Sequence, residues 1–167
     1  MPAPGATGSM IGPGAFGQLR TGWFWMKDDT VDTPLKEFLT KQAEGRIPFW
    51  VTLGMEIVEV RPGFARVRVP CGAHLLNANG VLHGGVVFTA GDAAVAVALL
   101  GLLDAGTRIA TLEMKINFLK PVDRAEIIAE AAIVHRGGKT AVGDVTVRDV
   151  SGAIVAKALA TYAIAKR

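Results

Sequence analysis

The sequence predicts an α+β domain in which one long apolar helix is wrapped by strands. Three observations carry this. The run 86–103 is apolar apart from Thr89 and Asp92, with only Gly91 and Gly101 as weak helix formers. Two β-prone runs precede it and four follow it. A helix apolar on most sides needs other elements to hide its surface, and a sheet is the element this chain has to spare. At 167 residues, half of them apolar, the chain is long enough to bury one real core.

Taken in order, residues 1–20 are rich in Gly, Ala and Pro with little to bury. We read 1–32 as a flexible extension ahead of a domain at 33–167. Trp23, Phe24 and Trp25 interrupt it, and three adjacent aromatics are expected to dock on the domain or on a partner subunit. Thr33-Pro34 reads as a helix start, with Thr33 as the capping hydroxyl and Gly45 as the stop. Leu35, Phe38 and Leu39 give its apolar stripe. Residues 46–52 read as a short packed turn, 55–60 as a strand and 61–63 as a turn. Ala65, Val67 and Val69 alternate with Arg66 and Arg68, the pattern of a strand buried on one face. A loop over 70–82 leads into the helix, about 84–104.

Four strands follow. In 109–119 the period of two puts Ala110, Leu112, Met114, Ile116 and Phe118 on one face, with Thr111, Glu113, Lys115 and Asn117 on the other. Residues 126–135 and 139–148 are the next two, the second with Ala141, Val145 and Val147 facing inward. Ser151-Gly152 turns the chain into 153–164, whose alanines would also suit a helix; the hairpin context favours a strand.

Composition excludes several classes. A net charge of +3 suits a polyanionic small ligand but is too small and scattered for nucleic acid. The single Cys71 rules out an intramolecular disulfide and fits a reducing compartment. His74, His83 and His135 lie far apart without further ligands at metal-site spacing, so no metal is expected. The N-terminus lacks the pattern of a signal peptide, and Asp92 within 86–103 argues against a membrane span. The expected location is cytoplasmic.

The chemistry concentrates in Asn77-Ala-Asn-Gly80-Val-Leu-His83-Gly84-Gly85 and in Asp92. Free N–H groups at a helix start attract a polarised carbonyl oxygen, and glycines there let a ligand approach the backbone. A lone carboxylate inside an apolar helix is costly unless paired or used. From His83 to Asp92 a helix climbs about 13 Å and turns about 180°. Gly84 and Asp92 of one chain therefore cannot easily reach one small group. If both serve one reaction, the simplest arrangement is a two-fold dimer that sets Asp92 of one subunit against Gly84 of the other.

This Asn-x-x-Gly-x-x-His-Gly-Gly entrance with its helix Asp resembles that of the hotdog-fold acyl-CoA thioesterases, in particular the PaaI-like, phenylacetate-type group, over roughly residues 46–165. The resemblance implies a curved antiparallel sheet around one central helix and sites at a subunit interface. It implies that Asp92 is general base or nucleophile, that the Gly84 N–H polarises the thioester carbonyl, and that the Thr111 hydroxyl helps to hold the water. Gly85 is a candidate second donor. Asn77 offers an amide to orient water or thioester, and His83 a hydrogen bond near them or a hold on the loop. The turn Arg136-Gly137-Gly138-Lys139-Thr140 is basic and glycine-containing, fit to hold the phosphates of coenzyme A. The implied substrate is an acyl-CoA, aromatic or medium-chain, with no metal or redox cofactor. The expected assembly is a homo-oligomer, at least a dimer, with a tetramer as the fuller form. Apart from the resemblance, Trp23-Phe24-Trp25 reads as simple packing, with a lid on the acyl chain as the sharper alternative. The competing readings are a hotdog dehydratase, whose His and carboxylate would act as acid and base, and a non-catalytic acyl-CoA sensor.

Overall fold

The computed structural model describes residues 32–165. The extension, apart from Asp32, and its Trp23-Phe24-Trp25 cluster lie outside the described residues. The first helix, α1 (Thr33–Arg46), is capped by Asp32, whose Oδ1 accepts from the Leu35 N–H at 3.0 Å. The cap is therefore Asp32 and not Thr33, which is already helical; a cap must sit just outside the first turn to reach its free donors. Leu39 is buried and Leu35 packs on the core, but Phe38 is 53% exposed, so the apolar stripe is narrower than the sequence suggests.

The expected turn at 46–52 is largely a second short helix, α2 (Pro48–Leu53). Pro48 supplies a helical φ at its start, and Gly54, at φ 65°, closes it in the left-handed region that glycine favours. Strands β1 (Glu56–Arg61) and β2 (Phe64–Val69) form a hairpin, and a 3₁₀ turn at Ala73–Leu75 leads toward α3 (Gly84–Leu100). That helix stops at the Gly101 C-cap rather than running to 104. Then come β3 (Arg108–Phe118), β4 (Ile127–Arg136), β5 (Thr140–Asp149) and β6 (Ile154–Ala165).

All six strands join one antiparallel sheet in the order β1-β2-β4-β5-β6-β3. The helix lies across its inner face, as expected. Ala65, Val67, Val69, Ile127, Ala129, Val145, Val147, Ala156 and Ala160 line that face and are fully buried. Many of these side chains are small, and two glycines complete the close approach. A Cβ on Gly91 would lie 2.8 Å from Met114 Cε, and one on Gly143 would lie 2.6 Å from Val95 Cγ1. The glycine backbone of one element therefore packs directly on side chains of the other, at Gly91 beside Asp92 and at Val95 a turn further on. The outer face is polar: Arg66 bridges Glu59 and Glu130, Arg68 bridges Glu56 and Glu126, and Lys157 pairs with Asp144.

β3 departs from the simple alternation. Its pairing with β6 slips between Thr111 and Glu113, so Leu112 is an extra residue and stands 59% exposed. A bulge of one residue reverses the facing of everything on one side of it. Met114 and Ile116 pack on the core as expected, but before the bulge it is Ile109 that packs there, and Thr111 reaches the helix. Ala110 and Leu112 are exposed instead of belonging to the inner row.

Candidate active site

The sequence-selected residues fall into two groups, one at each end of the inner face. The first is built by the backbone at the start of α3. His83 is its N-cap, extended at φ −63° and ψ 134°, and its Nδ1 accepts from the Gly85 N–H at 2.9 Å. That bond uses up the Gly85 donor and assigns His83 to the cap. The Gly84 N–H has no hydrogen-bond partner among the described residues. It opens on a cavity of about 350 Å³ shared with Asn77, Val87, Phe118, Val122 and Val155. Asn77 Oδ1 accepts from the Asn79 N–H at 2.8 Å, which leaves its Nδ2 donor to offer. The Phe118 ring lies against Gly84: a Cβ there would come within 3.3 Å of its Cζ.

The second group is built from side chains. Asp92 Oδ1 accepts from the Thr111 hydroxyl at 2.9 Å and from the Tyr162 hydroxyl at 2.5 Å. The Tyr162 oxygen also lies 2.8 Å from the Asp92 carbonyl oxygen. Each residue comes from a different element, α3, β3 and β6, and Thr111 and Tyr162 are register partners across β3 and β6. Burial first, and then the hydrogen bond to the Asp92 carboxylate, push the Tyr162 phenol well above its ordinary value, so it stays protonated as a donor. Asp92 Oδ2 has no hydrogen-bond partner among the described residues.

Tyr162 was not among the residues selected from the sequence. It is the only tyrosine of the chain and sits on the inward row of an alanine-rich strand. That isolation was the available signal, but only the register of β6 with β3 and the depth of α3 make it a neighbour of Asp92.

The basic turn closes the β4–β5 hairpin beside this second group. Gly137 N–H donates to Thr140 O at 2.8 Å, and Ile164 N–H donates to Lys139 O at 2.7 Å. The Gly137 donor is thus consumed by the turn. Arg136, Gly138, Lys139 and Thr140 are exposed, and neither Arg136 nor Lys139 forms an ion pair among the described residues. Ala141, next to the turn, is the register partner of Tyr162. The phosphate-holding candidates and the carboxylate therefore share one end of the sheet, while the Gly84 cavity occupies the other, about 12 Å away along α3. No group of His, Cys, Asp or Glu fit to hold a metal occurs among the described residues. Among them, no helix is long and apolar enough to cross a membrane.

Comparisons with known proteins agree with this architecture. The family model described as "Thioesterase superfamily" matches residues 79–156. A proposed esterase of Saccharolobus solfataricus is 34% identical over 112 residues, covering 67% of this chain and 74% of that one. The medium/long-chain acyl-CoA thioesterase YigI of Escherichia coli is 26% identical, over 71% of this chain and 86% of its own. Among solved structures, the E. coli PaaI protein from the phenylacetic acid degradation operon is 26% identical with a TM-score of 0.71, over 78% of this chain and 94% of that one.

Proposed function

The chain belongs to the thioesterase superfamily, and from that premise we propose that it hydrolyses acyl-CoA thioesters at sites shared by two copies of itself. The observation that carries the proposal is the β3 edge. Among the described residues this strand is hydrogen-bonded only to β6, so among them its other side is open over all 11 residues. Thr111 and Asp92 stand near its first end, and Phe118 and Gly84 at its last. A two-fold axis through the middle of an open antiparallel edge superposes opposite ends. Asp92 of one copy then faces Gly84 of the other, and the basic turn of the first reaches toward the same place.

At such a site the Gly84 N–H, backed by the helix N-terminus, stabilises the charge that develops on the thioester oxygen. Asn77 orients the thioester or the water. Asp92, with Thr111 beside it, acts through its carboxylate as general base or nucleophile. The acyl group enters the apolar cavity under Phe118, and Arg136 and Lys139 hold phosphates of coenzyme A. The relation to a protein named as a medium/long-chain acyl-CoA thioesterase supports the choice of substrate. No metal or redox cofactor enters the reaction.

Release of free thiol from a panel of aromatic and aliphatic acyl-CoA esters tests this, with wild type beside Asp92→Asn. The expected loss is at least 10²-fold in kcat with folding retained, the range for a group acting on the proton in the transition state. Equal rates for the two proteins would remove Asp92 from the reaction. Tight acyl-CoA binding without hydrolysis by either would leave a sensor.

A further inference from the structure

We propose that Tyr162 is the positioning residue of this site: its hydroxyl, with that of Thr111, fixes Asp92 by one carboxylate oxygen and thereby makes Oδ2 the oxygen that meets the substrate. The inference rests on the reading of Asp92 as the reacting carboxylate. Both hydroxyls converge on Oδ1, at 2.5 Å from Tyr162 and 2.9 Å from Thr111. Tyr162 is only 2% exposed, so the ring is held by packing from all sides and its hydroxyl cannot swing to water. A Thr side chain on an exposed edge strand gives a looser hold. The buried phenol is therefore the fixed point and Thr111 the adjustable one.

Asp92 can otherwise rotate about two side-chain bonds. Carboxylates in reacting positions lose rate steeply when they drift, because proton transfer or attack needs a separation of about 3 Å and aligned lone pairs. Two donors on one oxygen restrain that rotation and leave the second oxygen without a hydrogen-bond partner among the described residues. Tyr162 is the only titratable side chain with a hydrogen bond to Asp92 among the described residues. Glu113, the neighbouring acid on β3, accepts from Thr161 on the outer face instead.

Because the chain has a single tyrosine, biosynthetic replacement by 3-fluorotyrosine labels position 162 alone. The first readout is the fluorine resonance of labelled wild type against labelled Asp92→Asn. A shifted resonance and an easier ionisation of the phenol in the variant are expected if the two groups are bonded in solution. The second is kinetics of Tyr162→Phe, which keeps the ring and removes only the hydroxyl, on the acyl-CoA ester that wild type hydrolyses fastest. The expected result is a kcat lower by roughly ten- to a hundred-fold with KM little changed.

An unchanged kcat in Tyr162→Phe would overturn the inference, even with Asp92→Asn inactive. An active Asp92→Asn would instead overturn the reading of the site. If Tyr162→Phe folds poorly, the labelled protein decides in its place: the same fluorine resonance in wild type and in Asp92→Asn would overturn the proposal.

Discussion

The start and the middle of α3 solve different problems with different materials. At Gly84 the group we propose to act is a backbone N–H, and all it needs is a helix start, a cap that leaves it free, and no side chain in the way. His83 provides the cap by taking the neighbouring Gly85 donor. At Asp92 the group we propose to act is a side chain inside an apolar layer, and it needs partners from other elements to be tolerated and aimed. Thr111 and Tyr162 are those partners, brought in by a bulge in β3 and by the register of β6. A donor made by local chain geometry is compact in sequence; a carboxylate made usable by tertiary contacts is spread over three elements. The basic turn belongs with the second group, where Ala141 pairs with Tyr162.

The largest expected effect breaks the first group alone. Gly84→Pro deletes the N–H and sets ring carbons against Phe118 while keeping the helix, since proline suits the first helical position and His83 already has the extended backbone that a following proline requires. We expect kcat to fall about 10²–10³-fold, the usual result of losing one oxyanion donor. Co-expression of Gly84→Pro with Asp92→Asn then sharpens the comparison. If the two groups meet across a dimer, a mixed population should recover about a quarter of wild-type activity, because half the dimers carry one intact site. If each chain works alone, the mixture stays inactive.

A smaller effect is expected at the basic turn. The double change Arg136→Ala with Lys139→Ala should raise KM for an acyl-CoA by about ten-fold at low salt, and less at high salt, as for exposed cations on phosphate. An acyl-pantetheine substrate, which lacks the nucleotide phosphates, should be indifferent; equal sensitivity of the two substrates would take the turn out of the binding site. The smallest effect concerns the contact between helix and sheet. Gly143→Ala places a methyl against Val95, itself 1% exposed, and should cost about 1–3 kcal/mol by overpacking. Thermal unfolding would register a Tm lower by several degrees. Loss of kcat beyond what stability explains would mean that the approach of α3 to the sheet also sets the Asp92 contacts.

Asn77, Gly84, Asp92 and Thr111 could all be selected from the sequence, but for unequal reasons. Gly84 and Asp92 stood out on physical grounds, as a glycine at a helix mouth and a charge in an apolar run. Thr111 was selected by resemblance only, and simple alternation placed it on the wrong face of β3. The slip at Leu112 has no local signature, because a bulge is decided by what both neighbouring surfaces will accept. Tyr162 was invisible for the same reason: nothing in an alanine-rich run says which of its residues lies under residue 92. The cap of α1 was misplaced by one residue, since Asp32 and Thr33 are both good caps and only the chain path chooses between them.

By itself the sequence determined the layout: one apolar helix that must be covered, six strands whose period of two supplies the cover, and a glycine-rich entrance that leaves an N–H free. Those follow from side-chain chemistry repeating at short range, where each residue's neighbours are known in advance. The tertiary structure decided the strand order, the open β3 edge, and the meeting of Thr111 and Tyr162 on one oxygen of Asp92. These depend on contacts between residues far apart in the chain, and their geometry exists only after the small side chains at Gly91 and Gly143 have let helix and sheet close together.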